Sequence, residues 1–287
     1  MDPVVHQKVT DSSMRARDSI DVSGLGIVQE TLLTPLCARA DEYTRVDGIV
    51  RDQTAYQLVN SISYDFSKIR RYGNTLVGCA IRANVMDRWI AEFLSQNPNG
   101  VVTCLGVGLD TVRERNDNKK ATFVELDFAD VIDLRRKCFE ENERRIQIVS
   151  DVLDSSWLSA VSHLQNRKWL FQAAGLLMYL QPDGVRRLFK ILGDNFPGCT
   201  FLFDGCSTLA HRNSTKWEAT IGTTAATYHW SIDDPREVTH FEPRVRVEET
   251  RYMMDLYHHR WSLKARIAST LSRTLRHGYH INRAHFS

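Results

Sequence analysis

Val101-Val102-Thr103-Cys104-Leu105-Gly106-Val107-Gly108-Leu109-Asp110 is the stretch that decides how this chain folds. Its first five residues suit a short buried strand. Two glycines follow, one residue apart, and a helix-compatible run opens at Leu109-Asp110-Thr111. Glycine at 106 and 108 permits a sharp turn and lets a ligand lie against the backbone, because no Cβ intervenes. A strand, a glycine turn and a helix start make a nucleotide-cradling corner of an open α/β sheet. The third glycine of the dinucleotide fingerprint would fall at 111, where Thr111 stands, and this disfavours a nicotinamide or flavin dinucleotide.

The next strand-like stretch, residues 121–127, ends in two acids, Glu125 and Asp127. At spacing i, i+2 on a strand they share one face. Ligands of open α/β sheets sit at the carboxyl ends of strands, where an acid accepts both hydroxyls of a ribose. A solvated strand end is the plainer alternative. The distance from the glycine corner suits one β-α-β unit.

Outward from this unit the pattern repeats. Upstream, apolar spacing predicts helices over 28–40, with Pro35 as a kink, over 52–62, with Asp52 as N-cap, and over 75–94. In the last of these Leu76, Cys79, Ala83, Met86, Ile90 and Phe93 form a stripe at steps of three and four. Residues 1–25 read as a polar arm. Downstream come a helix at 129–142, a strand at 145–149, a helix at 157–164 and a strand at 168–174. A helix at 182–195, opened by Pro182, and a strand at 199–204 follow. Alternating strands and helices argue for a parallel sheet covered on both faces. Beyond Asp204 the pattern blurs. Helices are expected at about 250–258 and 261–276, and a final strand at about 279–286.

The 287 residues fit a single α/β domain with added helices, and 43% hydrophobic with 25% charged residues fit a folded globule. A formal net charge of +2 calls for neither nucleic acid nor an acidic membrane as partner. Six cysteines without a C-x-x-C pair read as reduced thiols of a cytoplasmic protein, and no zinc or other metal site is expected. No signal peptide or bilayer-length apolar run is visible.

Three motifs together resemble the S-adenosylmethionine-dependent O-methyltransferases. They are Leu105-Gly106-Val107-Gly108-Leu109-Asp110-Thr111, then Glu125-Leu126-Asp127-Phe128, then Ala173-Ala174-Gly175-Leu176-Leu177-Met178-Tyr179-Leu180. The nearer branch is similar to the tetracenomycin-type polyketide O-methyltransferases, the more distant to the leucine carboxyl methyltransferases. Tyr64-Asp65-Phe66, Ile81-Arg82 and Ser150-Asp151-Val152-Leu153-Asp154 fit the same pattern.

The resemblance implies a Rossmann-like class I methyltransferase in one domain. Residues 1–74 would form the arm and a helical lid. Residues 75–287 would be the catalytic core, with a substrate-side insertion at about 206–260. It also implies S-adenosylmethionine as cofactor and a small-molecule acceptor, polyketide-like, methylated on a carboxylate or phenol oxygen. A protein C-terminal carboxylate is the second acceptor class, and a non-methylating scaffold is the opposing reading.

By the same resemblance Arg82 grips the cofactor carboxylate, and Gly106, Gly108 and Gly175 bring backbone close to it. Asp110 orients the amine or nearby backbone, or else caps a helix. Asp127 takes the ribose, and Asp151 with Val152 flanks the adenine. Arg51 matches a basic lid residue. Two positions depart from the family pattern: Ala174 stands where an acid is usual, and Val112 where an arginine is usual, with Arg113 as a shifted substitute. Methyl transfer needs alignment and exclusion of water more than side-chain chemistry. A phenol acceptor gains from a general base, whereas a carboxylate arrives ionised. Tyr179, Tyr64 and His211 are the candidate acceptor-side residues, with Tyr228 and His229 as further aromatic walls.

Overall fold

The structure, a computed structural model, describes residues 20–22, 31–213 and 227–287. Most of the expected N-terminal arm and the expected helix start at Val28 lie outside the described residues, as do residues 214–226 of the acceptor-side region.

Among the described residues seven strands form one sheet. β1 (Val101–Leu105) pairs in parallel with β2 (Thr122–Asp127) on one side and β4 (Trp169–Ala173) on the other. Beyond β2 lies β3 (Arg145–Val149), and beyond β4 lies β5 (Thr200–Cys206), both parallel. β7 (Tyr279–Phe286) runs antiparallel between β5 and the edge strand β6 (Val245–Tyr252), giving the order β3-β2-β1-β4-β5-β7-β6. Every residue of β1 and β4 is buried. Such unbroken burial, rather than alternation, is what a parallel strand covered on both faces requires. The strand order reverses between β1 and β4, so Gly106 and Gly175 stand at the switch point where α/β sheets bind ligands.

Among the described residues four helices precede the sheet: α1 (Leu33–Thr44), α2 (Gln53–Ser61), α3 (Ser67–Arg70) and α4 (Gly73–Gln96). Asp52 caps α2 as expected, its carboxylate accepting from Ala55 N at 2.8 Å. Pro35 falls in the first turn of α1, where its missing N–H breaks no helical bond, so it need not kink the helix. α4 lies on one face of the sheet, with Ile81, Met86 and Ile90 against Val102, Leu170 and Leu202. Its buried arc is wider than the six-residue stripe. Val77, Ala80, Val85, Trp89 and Leu94 are also buried, whereas Leu76, Cys79 and Phe93 are only half-buried. Two further helices, α5 (Val112–Asn116) and α6 (Ala129–Cys138), connect β1 to β2 and β2 to β3. On the opposite face α7 (Pro182–Asn195) sets Val185, Leu188, Phe189 and Leu192 against Phe171, Phe201 and Phe203. α1 and α2 share a smaller core of Leu33, Leu36, Cys37 and Leu58 with Leu109 and Leu134. All six cysteines are free, and burial first, then Asp41, pushes the Cys37 thiol up to about 12.

The region after β5 corrects the sequence reading. The helix expected at 250–258 is instead the end of β6 followed by single turns at Met253–Asp255 and His258–Arg260. Val245 and Val247 carry the period-2 signal of an edge strand, but a bulge at Val247/Glu249 interrupts it. Residues 245–252, within the segment expected as an insertion, belong to the sheet. Among the described residues no helix is long and apolar enough to cross a membrane.

Candidate functional site

The glycine turn has the backbone that its sequence anticipates. Gly106 and Gly108 hold φ of +63° and +52°, in the left-handed region that disfavours side chains. Asp127 ends β2 beside this turn. Its Oδ2 accepts from Gly108 N and its Oδ1 from Phe128 N, each at 2.8 Å. Burial pushes the Asp127 carboxyl up, against the pull of those two amides. A carboxylate offers about four lone-pair sites, so each oxygen keeps one for a further donor. Glu125, two residues earlier, never reaches the edge. It is fully buried, with Arg135 at 2.7 Å, Arg145 at 3.1 Å and Gln147 Nε2 at 3.1 Å. Of the two acids sharing a face, only Asp127 is placed for a ligand.

β3 pairs Val149 with Asp127, and Asp151 follows one turn on. Asp151 is exposed, with Oδ1 accepting from Leu153 N at 2.9 Å, and Val152 is buried. Phe128 and Val149 are 54% and 46% exposed, so apolar side chains and a carboxylate crowd the ends of two neighbouring strands. That is the chemistry an adenine requires: apolar surface for its faces and an acceptor for its amine.

At the end of β4, Gly175 has φ +72° and packs under a guanidinium. A Cβ there would stand 2.7 Å from Arg82 Nη1. Asp204, on β5, joins the two. Its Oδ1 accepts from Gly175 N at 2.6 Å and its Oδ2 from Arg82 Nη1 at 2.7 Å. Burial works against the Arg82 charge, but Asp204 outweighs it and raises the pKa. Arg82 is 12% exposed, and among the described residues only its Nη1 carries a partner, so it retains donors for a second carboxylate. Asp204 read in the sequence only as a strand end. Its partners lie 29 and 122 residues away, beyond any local pattern.

Asp110 faces inward. Its Oδ1 accepts from Arg115 Nη1 at 2.9 Å and lies 3.7 Å from Arg39, and its Oδ2 accepts from Gln172 at 3.4 Å. Burial alone would raise its pKa; Arg39 and Arg115 hold it well below the usual carboxylate range. It does not cap α5, whose N-cap is Thr111. Arg115, rather than Arg113, therefore makes the arginine contacts here. Arg113 is buried elsewhere, its pKa lowered by burial and then by Arg145. Arg51 donates to the carbonyls of Tyr43, Arg45 and Val46, and so closes the end of α1.

The acceptor-side candidates separate. Tyr179 meets Tyr228 edge-on at 5.3 Å, and His211 Nε2 lies 2.7 Å from the Tyr228 carbonyl. A carbonyl only accepts, so Nε2 carries a proton, and Nδ1 faces Ser231 Oγ at 3.3 Å. Burial, then Tyr179 and Tyr279, keeps Tyr228 protonated well above its ordinary range. Tyr64 belongs to the α1–α2 core instead, edge-on to Phe66 at 5.2 Å.

These residues fit S-adenosylmethionine: left-handed glycines, an acid with spare lone pairs, and a half-engaged arginine at the other end. Two flexible side chains cover the glycines. A Cβ on Gly106 would stand 2.9 Å from Leu176 Cδ1, and one on Gly108 would stand 3.2 Å from Leu32 Cβ.

Residues 33–193 match the family model for leucine carboxyl methyltransferase. The chain is also 33% identical over 230 residues to the tetracenomycin polyketide synthesis O-methyltransferase TcmP of Streptomyces glaucescens, covering 79% of this chain and 84% of that one. The chain belongs to the leucine carboxyl methyltransferase family. It is accordingly an S-adenosylmethionine-dependent methyltransferase. A second relative is the S-adenosyl-L-methionine-dependent methyltransferase dpfgK of Gibberella zeae, 27% identical over 251 residues, 80% of this chain and 83% of that one. The fold is also that of a putative methyltransferase from Thermobifida fusca, at TM-score 0.57 and 18% identity over 87% of this chain and 94% of that one. The family match runs from the start of α1 into α7. It takes in the glycine turn, Asp127 and Gly175, and stops before Asp204 and the Tyr228 wall.

Proposed function

We propose that this methyltransferase acts on an oxygen of a small, polyketide-like metabolite, with a carboxylate as the preferred acceptor. The observation carrying the carboxylate preference is the state of the acceptor-side groups. His211 is directed at the Tyr228 carbonyl through Nε2 and at Ser231 Oγ through Nδ1, and burial keeps the Tyr228 hydroxyl protonated, so that hydroxyl is not a general base. A carboxylate, ionised at neutral pH, needs none. The polyketide reading is supported by the likeness to TcmP.

S-Adenosylmethionine supplies the electrophilic methyl group. In this proposal Asp127 accepts the ribose hydroxyls, Arg82 donates to the methionine carboxylate, and Gly106, Gly108 and Gly175 let the ligand approach the backbone. Phe128, Asp151 and Val152 line the adenine end. Tyr179 and Tyr228 wall the acceptor side and exclude water. The chain is read as one methyltransferase domain, its N-terminal helices at the rim of the site.

The test has two parts. Calorimetric titration with S-adenosylhomocysteine should show saturable one-site binding. Transfer of labelled methyl from S-adenosylmethionine should then be followed to aromatic polyketide carboxylates, to their phenolic analogues lacking the carboxylate, and to peptides ending in leucine. Turnover of the carboxylates over the phenols supports the proposal. Turnover of the peptides alone would assign a protein C-terminus, in keeping with the family's name. No S-adenosylhomocysteine binding would remove the site assignments.

A further inference from the structure

The carbonyls of the cofactor turn are held from behind by two arginines on different elements. Arg135, on α6, donates through Nη1 to Gly108 O and Asp110 O, both at 2.8 Å. Arg39, on α1, donates through Nη2 to Leu109 O at 3.0 Å. Three successive carbonyls thus point into buried guanidinium groups. The alternation of left-handed glycines with ordinary residues is then anchored on its far side, and Gly108 N faces outward to Asp127.

Arg39 is itself fixed by α2. Its Nε donates to Asp52 Oδ2 at 2.9 Å, and the two side chains are 3% and 1% exposed. The same Asp52 oxygen accepts from Thr111 Oγ1 and, at 3.1 Å, from Arg115 Nη1. Its other oxygen caps α2. Arg115 continues the chain of contacts to Asp110 at 2.9 Å and to Asp87 of α4 at 2.7 Å. Asp52 therefore ties α2 to α1, to the residue that follows the turn, and through Arg115 to α4.

We infer that Arg39 and Arg135 are positioning residues for the cofactor turn, and that Asp52 makes α1 and α2 a fixed part of the cofactor site. This rests on the reading that the cofactor lies on Gly106–Gly108. It also divides the N-terminal region. Separating α1 and α2 from the core would break the Asp52 contacts to Thr111 and Arg115 and take the Arg39 donor from the Leu109 carbonyl, a cost that opposes hinge opening. The cover over the turn starts ahead of α1, at Leu32, whose Cβ overlies Gly108.

The experiment compares four variants of the full chain by S-adenosylhomocysteine affinity, thermal midpoint and amide hydrogen exchange over residues 106–111. Arg39→Gln removes the Leu109 carbonyl contact. Thr111→Val removes only a hydroxyl from the Asp52 cluster and serves should Arg39→Gln fail to fold. Arg244→Gln is the control, since Arg244 pairs with Glu242 and Asp194 and donates to the Gly193 carbonyl, sharing no partner with Arg39, Arg135 or the turn. Arg39→Gln should weaken S-adenosylhomocysteine binding at least tenfold in folded protein and speed exchange in 106–111. Thr111→Val should do both to a smaller degree, and Arg39→Lys should restore part of the loss. Arg244→Gln should lower the midpoint while affinity and turn exchange stay within twofold of wild type. The inference fails if Arg39→Gln and Thr111→Val change only the midpoint, or if Arg244→Gln loosens the turn equally. Were wild type itself not to bind S-adenosylhomocysteine, the function reading would fail, but exchange over 106–111 would still report whether the arginines hold the turn. Exchange of α1 and α2 that slows more than tenfold on adding S-adenosylhomocysteine would overturn the fixed-helix half.

Discussion

Asp127→Ala separates binding from folding at the point where the two meet. The carboxylate makes two backbone contacts at 2.8 Å, to Gly108 N and Phe128 N. Hydrogen bonds to a charged acceptor contribute about 1.5–3 kcal/mol each, so the gross contribution to the fold is about 3–6 kcal/mol. The upward pKa shift shows that burial outweighs the two amides in the balance between charged and neutral forms. Desolvation offsets part of that gross contribution, so the net loss of stability on substitution is smaller than it. The cofactor meets a different balance. Its ribose would use the two remaining lone pairs, and losing them should cost about 1.5–3 kcal/mol, a roughly ten- to hundredfold weaker Kd. Calorimetry with S-adenosylhomocysteine, alongside a thermal melt, reads both. The shift also fixes a pH signature. A folded pKa above the unfolded value means the folded state holds the proton more tightly, so this carboxyl's contribution to stability is largest in acid and declines as pH rises through the folded pKa. Cofactor affinity runs the other way, falling as pH drops through that pKa and the acceptor becomes protonated. Asp127→Ala should flatten both dependences. An unchanged Kd at neutral pH would falsify the ribose assignment, whatever happened to the melting temperature.

Other expectations follow from single contacts. Gly106→Ala should destabilise by about 1–2 kcal/mol from its φ of +63° alone, and Leu176→Ala in the same chain should recover only the contact part, as a double-mutant cycle by urea unfolding would show. Arg82→Met strands a nearly fully buried Asp204 and should cost about 3–5 kcal/mol while weakening S-adenosylhomocysteine binding; a stable variant with intact affinity would remove Arg82 from the site. Tyr228→Phe should leave kcat with a carboxylate acceptor within about threefold across neutral to alkaline pH, because a hydroxyl held protonated is not the base; a lost alkaline limb would contradict this.

Much of this protein is local in origin and so legible in its sequence. β1, β3 and α7 begin and end where the residues predict, because burial on both faces and a Pro182 helix start are written in neighbouring positions. Asp52 as a cap, and the left-handed turn at Gly106 and Gly108, are equally local. β6 was not legible as a strand, since its edge position and bulge weaken alternation and its pairing comes from β7, more than thirty residues downstream in places.

At the site the division follows the range of the interaction. Spacing placed Asp127 and Glu125 on one face, but only packing decided that Arg135 and Arg145 claim Glu125 and leave Asp127 at the edge. In the sequence Asp110, just after the glycine turn, and Asp127, at the end of the next strand, both stood as cofactor-side acids. The fold turned one into a buried neighbour of Arg39 and Arg115 and gave the other two amides and open lone pairs. Asp204, Arg39 and Arg135 acquired their roles from partners up to 122 residues away. A charged side chain on its own encodes only that it must be solvated or paired. Which partner it meets is set by the tertiary fold, through the desolvation cost of every alternative.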